Sequence, residues 1–238
     1  TYHAKWEANS YNVTLNANGG TINSGNVTGY TYGVGATLPT ADDMTYAGHT
    51  FKGWYEDSSF SGNSVTAISA TDTGDKTYHA KWEANSYTVT LNANGGTINR
   101  GNVTSYTYGV GATLPTVDDM TYAGHTFKGW YEDSGFSGNP VTEISTTATG
   151  AKTYYAKWLS TDAGITAVSV DNTAGTINGT TITVVLPYGT VALPTENSKV
   201  SITAADGATV SGLTTTDGSE WTFTVTAADG QTTKNYTI

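Results

Sequence analysis

Apolar and polar side chains alternate along residues 11–16, where Tyr11, Val13 and Leu15 alternate with Asn12, Thr14 and Asn16. A period of two is that of a strand with one face buried. Asn18-Gly19-Gly20 then turns the chain, and Tyr30-Thr31-Tyr32 gives a second alternating stretch that ends at Gly33. Thr50-Phe51-Lys52-Gly53-Trp54-Tyr55 predicts a third strand after the Ala47-Gly48 turn. Thr77–Trp82 predicts a fourth, with Tyr78, Ala80 and Trp82 on one face and His79 and Lys81 on the other. Leu38–Met44 has room for one helical turn, while Pro39 and the paired Asp42-Asp43 oppose a longer helix.

The same pattern recurs. Thr77-Tyr78-His79-Ala80-Lys81-Trp82 reproduces Thr1-Tyr2-His3-Ala4-Lys5-Trp6 at an offset of 76, and Thr153–Trp158 follows at the same offset. The chain therefore divides into 1–6, read as the last strand of a preceding copy, then 7–82, 83–158 and a non-repeating segment, 159–238. The two full copies differ at 11 positions, among them Asn12/Thr88, Ser24/Arg100, Ser64/Pro140 and His79/Tyr155. Glu83-Ala84-Asn85-Ser86 is the short linker expected between them. Near-identity reflects recent duplication, so it does not single out functional positions. The chain reads as a fragment of a longer tandem array, expected to be monomeric.

Composition sharpens this. Ten basic residues, Arg100 the sole arginine, face 20 acidic ones for a net charge of −10. That balance excludes nucleic acid as a partner, because phosphate binding needs clustered Lys and Arg. There is no cysteine, hence no disulfide, thiol nucleophile or thiolate metal site. No apolar run reaches the ~18–20 residues of a membrane span, so no membrane insertion is expected. Thr, Tyr, Gly and Asn carry the polarity and favour strands and turns.

Tyr11–Gly20, Tyr46–Tyr55 and Tyr78–Trp82, with their copies Tyr87–Gly96, Tyr122–Tyr131 and Tyr154–Trp158, resemble the Listeria–Bacteroides repeat, the internalin B-repeat type. The resemblance implies a small β-grasp-like module strung along exported bacterial proteins, and it brings no catalytic residues. The third segment predicts strands at Ile165–Val170, Thr181–Leu186, Val200–Thr203, Trp221–Thr226 and Tyr236–Ile238. Its ending, Val225–Ile238, resembles the close of cadherin-like or immunoglobulin-like domains. The expected fold is mainly β: two tandem β-grasp-like modules, then a small Ig-like β-sandwich.

Candidate chemistry is sparse. Trp54, Tyr55, Trp130 and Tyr131 are the candidates for a ligand or inter-module contact. Neighbours on a strand point to opposite faces, so at most one of each pair belongs to the main core; packing inside a small module is the competing reading. Glu56-Asp57 and Asp42-Asp43 lack the alternating spacing of a calcium loop and read as solvated acids. His3, His49, His79 and His125 lack metal-ligand spacing, and His79 gives way to Tyr155 in the next copy. Lys199, Lys234 and Asn235 are candidates for a Lys–Asn cross-link in the third segment. No cofactor, metal or catalytic residue is expected, and the chain is read as not an enzyme. The leading expectation is an extracellular, wall-attached or secreted stalk or adhesin spacer. The alternatives are a module binding a host or surface glycan or protein, and accessory domains of a larger extracellular enzyme.

Overall fold

The alternating segments become strands in a computed structural model that describes residues 1–190 and 192–238. The first copy contains β1 (Ser10–Asn16), β2 (Thr21–Ile22), β3 (Gly29–Thr31), β4 (Ala36–Thr37), β5 (Met44–Thr45), β6 (His49–Tyr55), β7 (Ala67–Ile68) and β8 (Lys76–Ala84). The second repeats them as β9 (Ser86–Asn92), β10 (Thr97–Ile98), β11 (Ser105–Thr107), β12 (Ala112–Thr113), β13 (Met120–Thr121), β14 (His125–Tyr131), β15 (Glu143–Ile144) and β16 (Lys152–Ser160). The helical turn expected within Leu38–Met44 is a 3-10 turn at Ala41–Asp43. The described residues contain no α-helix.

Each copy builds a four-stranded sheet, ordered β3-β1-β8-β6 in the first and β11-β9-β16-β14 in the second. In the first copy β1 runs antiparallel to β3 and parallel to β8, and β8 runs antiparallel to β6. Parallel neighbours need a long crossover. Here it carries the rest of the copy, including the small ladders β2–β5 and β4–β7. These cover the core of Val13, Tyr30, Leu38, Met44, Trp54, Ile68, Tyr78 and Ala80. The described chain forms two compact units: Thr1–Val89 with Thr104–Thr113 and Glu143–Lys152, and Thr90–Val103 with Leu114–Thr142 and Thr153–Ile238. The first holds the whole first copy, the second the whole C-terminal segment.

Two glycines explain how the aromatic residues fit. Phe51 and Trp54 are three residues apart, which on a regular strand would place them on opposite faces. A register shift between Phe51 and Gly53 inserts one residue opposite Lys81, so Phe51 pairs with Trp82 and Trp54 with Ala80 on the same face. Gly53 adopts φ +119°, and a Cβ there would meet Ser64 Cβ at 2.6 Å. Both facts exclude a side chain. At Gly20, a Cβ would lie 2.2 Å from the Trp82 ring. Trp82 Nε1 donates to the Ala17 carbonyl at 2.8 Å, and Asn18, at φ 50°, donates its amide to the Ala80 carbonyl at 2.8 Å. The Asn-Gly-Gly turn is thus the seat of the last strand's tryptophan.

Two of the differences between the copies alter surface partners. Ser24 hydrogen-bonds Asp43, whereas Arg100 forms an ion pair with the equivalent Asp119 at 3.4 Å. Asn12 bonds Asp75 through its backbone amide at 2.8 Å, and both positions change in the second copy, to Thr88 and Ala151. At Ser24 one polar partner replaces another at the surface, and at Asn12 a surface pair is exchanged together.

The C-terminal segment contains β17 (Ile165–Val170), β18 (Thr173–Ala174), β19 (Thr176–Asn178), β20 (Thr181–Thr183), β21 (Val200–Ala204), β22 (Thr209–Thr215), β23 (Trp221–Thr226) and β24 (Thr233–Thr237). Its sheets are ordered β18-β17-β21 and β19-β20-β24-β23-β22, around Val168, Ile182, Phe223, Val225 and Tyr236. The strand expected over Thr181–Leu186 stops at Thr183, and Val185 is solvent-exposed. The last strand starts earlier than expected, at Thr233. β22 has no counterpart among the expected strands, because it is a mostly exposed edge strand with Gly212 inside a register shift.

Gly20→Ala should destabilise the first copy by about 1–3 kcal/mol, the usual cost of overpacking a filled site. Urea unfolding followed by tryptophan fluorescence measures it, and Gly96→Ala should act likewise on the second copy, where the same Cβ would lie 2.3 Å from Trp158.

Candidate functional surfaces

Trp54 is 1% exposed, and its Nε1 donates to the Pro39 carbonyl at 2.9 Å; Trp130 makes the same bond to Pro115. Both are core anchors with their one polar atom satisfied, so neither offers a face to a ligand. Tyr55 and Tyr131 point to the opposite side of the sheet. There the loop after β6 folds back, Val65 bonding the Trp54 carbonyl at 2.8 Å, and Phe60 meets Tyr55 edge-on at 5.8 Å. The Lys81 ammonium lies 5.2 Å from the Tyr55 ring centre, and Lys157 lies 5.3 Å from that of Tyr131. Tyr131 is only 8% exposed, while Tyr55 is half-buried. Opposite Tyr131 the paired residue is Tyr155, and opposite Tyr55 it is the smaller His79. That pairing is the structural setting of the His79/Tyr155 difference.

One acid of each adjacent pair is committed locally. Asp57 accepts hydrogen bonds from the Ser59 and Ser61 hydroxyls, which hold its carboxyl at about 2. Asp43 is held low by the Ser24 hydroxyl first, then by the backbone and hydroxyl of Thr40. Burial pushes the Tyr78 hydroxyl up to about 12, so it remains neutral. No group of three or more His, Asp or Glu side chains converges among the described residues. Lys199 is exposed and pairs with Asp171 at 3.2 Å, and Lys234 and Asn235 are exposed neighbours on β24. Asn235 accepts from Thr224 at 2.8 Å, and Lys234 lies over Tyr236. None of these three candidates for a cross-link is buried against a bond-forming partner.

Each copy also presents an open aromatic groove lined by residues outside the four aromatic candidates. In the first, Met44, Tyr46, His49, Phe51 and Trp82 line a volume of about 470 Å³. In the second, Met120, Tyr122, His125, Phe127 and Trp158 line about 620 Å³. Tyr46 stacks on His49 at 4.2 Å and meets Trp82 edge-on at 5.4 Å. His49 Nδ1 lies 2.9 Å from the Ala47 carbonyl, which fixes the ring over the turn.

Contacts between successive copies also fall on other residues than those four. β8 runs on to Ala84 and β9 begins at Ser86, so the expected four-residue linker contracts to Asn85 alone. Asn85 donates its backbone amide to the Gly48 carbonyl at 2.8 Å and accepts from Thr50 through its side chain at 2.6 Å. Tyr108 of the second copy lies against Gly48 and meets His49 edge-on at 5.3 Å. Lys52 pairs with Glu83 at 2.5 Å across the same edge.

The next junction keeps the geometry and changes the partners. Thr161 donates to Gly124 at 2.9 Å, as Asn85 does to Gly48. Glu83 is replaced by Leu159. Lys128 then donates to the Asp229 carbonyl oxygen at 3.1 Å, and Thr126 to the Asp229 carboxylate at 3.2 Å. Asp229 is the buried charged residue of the described chain, 6% exposed. Its carboxylate accepts from the backbone amides of Thr232 and Gln231 and from the Thr232 hydroxyl, which together hold it at about 2. Its own amide donates to Ser160 at 3.0 Å. One signal was available beforehand: Asp229-Gly230 reads as a turn, but nothing in its spacing says that it reaches residue 126.

The model of the Listeria-Bacteroides repeat domain matches residues 11–81 and 87–157. Two proteins of Evansella cellulosilytica are similar to the chain. One, named "Putative Gly-rich membrane protein", is 36% identical over 157 residues, 66% of this chain and 17% of its own length. The other, named "Putative membrane protein", is 34% identical over 158 residues, again 66% of this chain and 22% of its own length. The chain thus spans about a fifth of these relatives. No solved structure matches it. None of its described helices is long and apolar enough to cross a membrane.

A depressed carboxylate stabilises the fold above its unfolded-state value, 3.8, and loses that effect as pH falls through about 2. Asp229→Asn should therefore lower the thermal midpoint of the C-terminal segment at pH 7, and the gap from the parent should close between about pH 4 and 2. Calorimetric scans across that range check it.

Proposed function

We propose that this chain, which belongs to the Listeria-Bacteroides repeat domain family, is a non-catalytic spacer in a longer bacterial surface or secreted protein. On this reading it carries another region away from the cell. Its repeats are β-grasp-like modules and its last segment an Ig-like sandwich. The mixed sheet with a central parallel pair supports the first assignment, and the two sheets around one shared core support the second.

The observation that carries the proposal is where the motif residues go. Trp54, Trp82, Gly20, Gly53 and Ala80 are all used to build the module itself. The modules are joined by a single residue whose backbone and side chain are both hydrogen-bonded to the preceding copy. A joint of this kind limits the freedom that a flexible linker would give. Repetition of a self-contained unit then sets a distance. Asp57 and Asp43, one acid of each adjacent pair, are bound to neighbouring hydroxyls and amides, which agrees with this reading.

A second reading rests on the paired grooves at Tyr46-His49-Trp82 and Tyr122-His125-Trp158. Two equivalent aromatic sites on one chain would raise avidity for a repetitive glycan. The two readings separate in one set of measurements on the full chain. A spacer shows no saturable binding on a glycan array, and scattering profiles show a maximum dimension that grows by a constant increment with each added copy. Saturable binding lost on Tyr46→Ala with Tyr122→Ala would replace the spacer by the binding module.

A further inference from the structure

The contact between the two copies rests on a ring and a glycine. The Tyr108 ring approaches Gly48 so closely that a Cβ there would lie 2.2 Å from its atoms, and His49 closes the ring's side at 5.3 Å. Gly48 also has φ +70°, so a side chain at this position would be strained as well as obstructed. Tyr108 is held in place by its backbone amide, which donates to the Asn85 carbonyl at 3.0 Å.

The first copy carries the same device with nothing seated on it. Tyr32 stands where Tyr108 stands in the second copy, and its amide donates to the Asn9 carbonyl at 2.9 Å. Asn9 matches Asn85 at the offset of 76. The backbone that presents the ring is therefore already formed, yet the Tyr32 ring is 47% exposed while Tyr108 is half-buried. Val34 and its counterpart Val110 are both highly exposed, so the difference between the copies lies at the tyrosine.

We propose that Tyr32 is a docking surface for another copy of this repeat, placed ahead of it in the chain. The Gly-His turn of that copy would receive the ring as Gly48-His49 receives Tyr108. The argument is continuity with an existing interface: one ring, one backbone anchor and one glycine socket, met at one junction and half present at the next. At the other end, Gly124 has nothing within 4 Å of an added Cβ, and the C-terminal segment is held there through Asp229 instead. The repeat therefore has two ways to be followed, by itself through a tyrosine and by the terminal segment through an aspartate.

The test compares the full chain with one in which an extra copy of residues 7–82 is inserted between Trp6 and Glu7. Tyr108→Ala should lower the thermal midpoint of the full chain by about 4–8 °C, the scale for one packed aromatic contact in a module of this size. Tyr32→Ala should leave the full chain unchanged and should lower the midpoint of the extended chain by the same amount as Tyr108→Ala. A Tyr32→Ala change that is silent in the extended chain overturns the proposal. So does one that costs as much in the original chain, because the ring would then act within its own copy or between separate molecules.

Discussion

The first and last strands of the repeat are tied together by a partly buried tryptophan of the last strand. Trp82 can enter only because Gly20 has no side chain, and its indole nitrogen is satisfied only because the Asn-Gly-Gly turn aims the Ala17 carbonyl at it. The same turn reaches back through Asn18, which bonds Ala80 on the strand that carries Trp82. The first and last strands of the copy are thereby locked in parallel, with about sixty residues of crossover between them. A module this small has little apolar surface to bury, so a few large rings with their polar atoms paired carry a large share of its stability.

The bulge at Lys52-Gly53 is the second constraint, and it divides the aromatic residues between two environments. It turns Phe51 and Trp54 to one side and leaves Tyr55 on the other, where the loop after β6, Phe60 and Lys81 cover it. With both faces of this strand occupied by the module's own residues, the outward chemistry moves to the edges and ends. The junctions are made there, by Gly48, His49, Asn85 and Tyr108 in one case and by Thr126, Lys128 and Asp229 in the other. Replacing Glu83 by Leu159 removes the partner of the lysine and frees it for the terminal segment. One substitution at the end of a copy thus accompanies a change in the identity of the next module.

Much of the fold was legible because it is written in short-range pattern. Alternation located β1, β6, β8, β17 and β23 within a residue or two, and Pro39 with the paired acids limited the helix to one turn. The edge strand β22 was not legible, since an exposed strand has no apolar face to alternate. The surfaces were legible only in part. Trp54 and Tyr55 do point to opposite sides, as neighbours on a strand must. That both sides would be filled from within the module depends on a loop folding back, which no local pattern records. His49 and Tyr46 read as turn residues, and their stacking against Trp82 joins segments more than thirty residues apart.

The amino-acid sequence by itself determined the period, the strand-forming stretches, the turns and the membership of the family, because each depends on the identity and spacing of residues near one another. The tertiary structure alone decided which glycine admits which ring, where one copy ends and the next begins, and which residues face a neighbour. Those outcomes depend on distances across the sheet. A Cβ at Gly48 is excluded by a tyrosine sixty residues away, and a carboxylate at Asp229 is held partly by a threonine more than a hundred residues before it. Close packing makes such contacts decisive, and chain connectivity leaves them unmarked along the sequence.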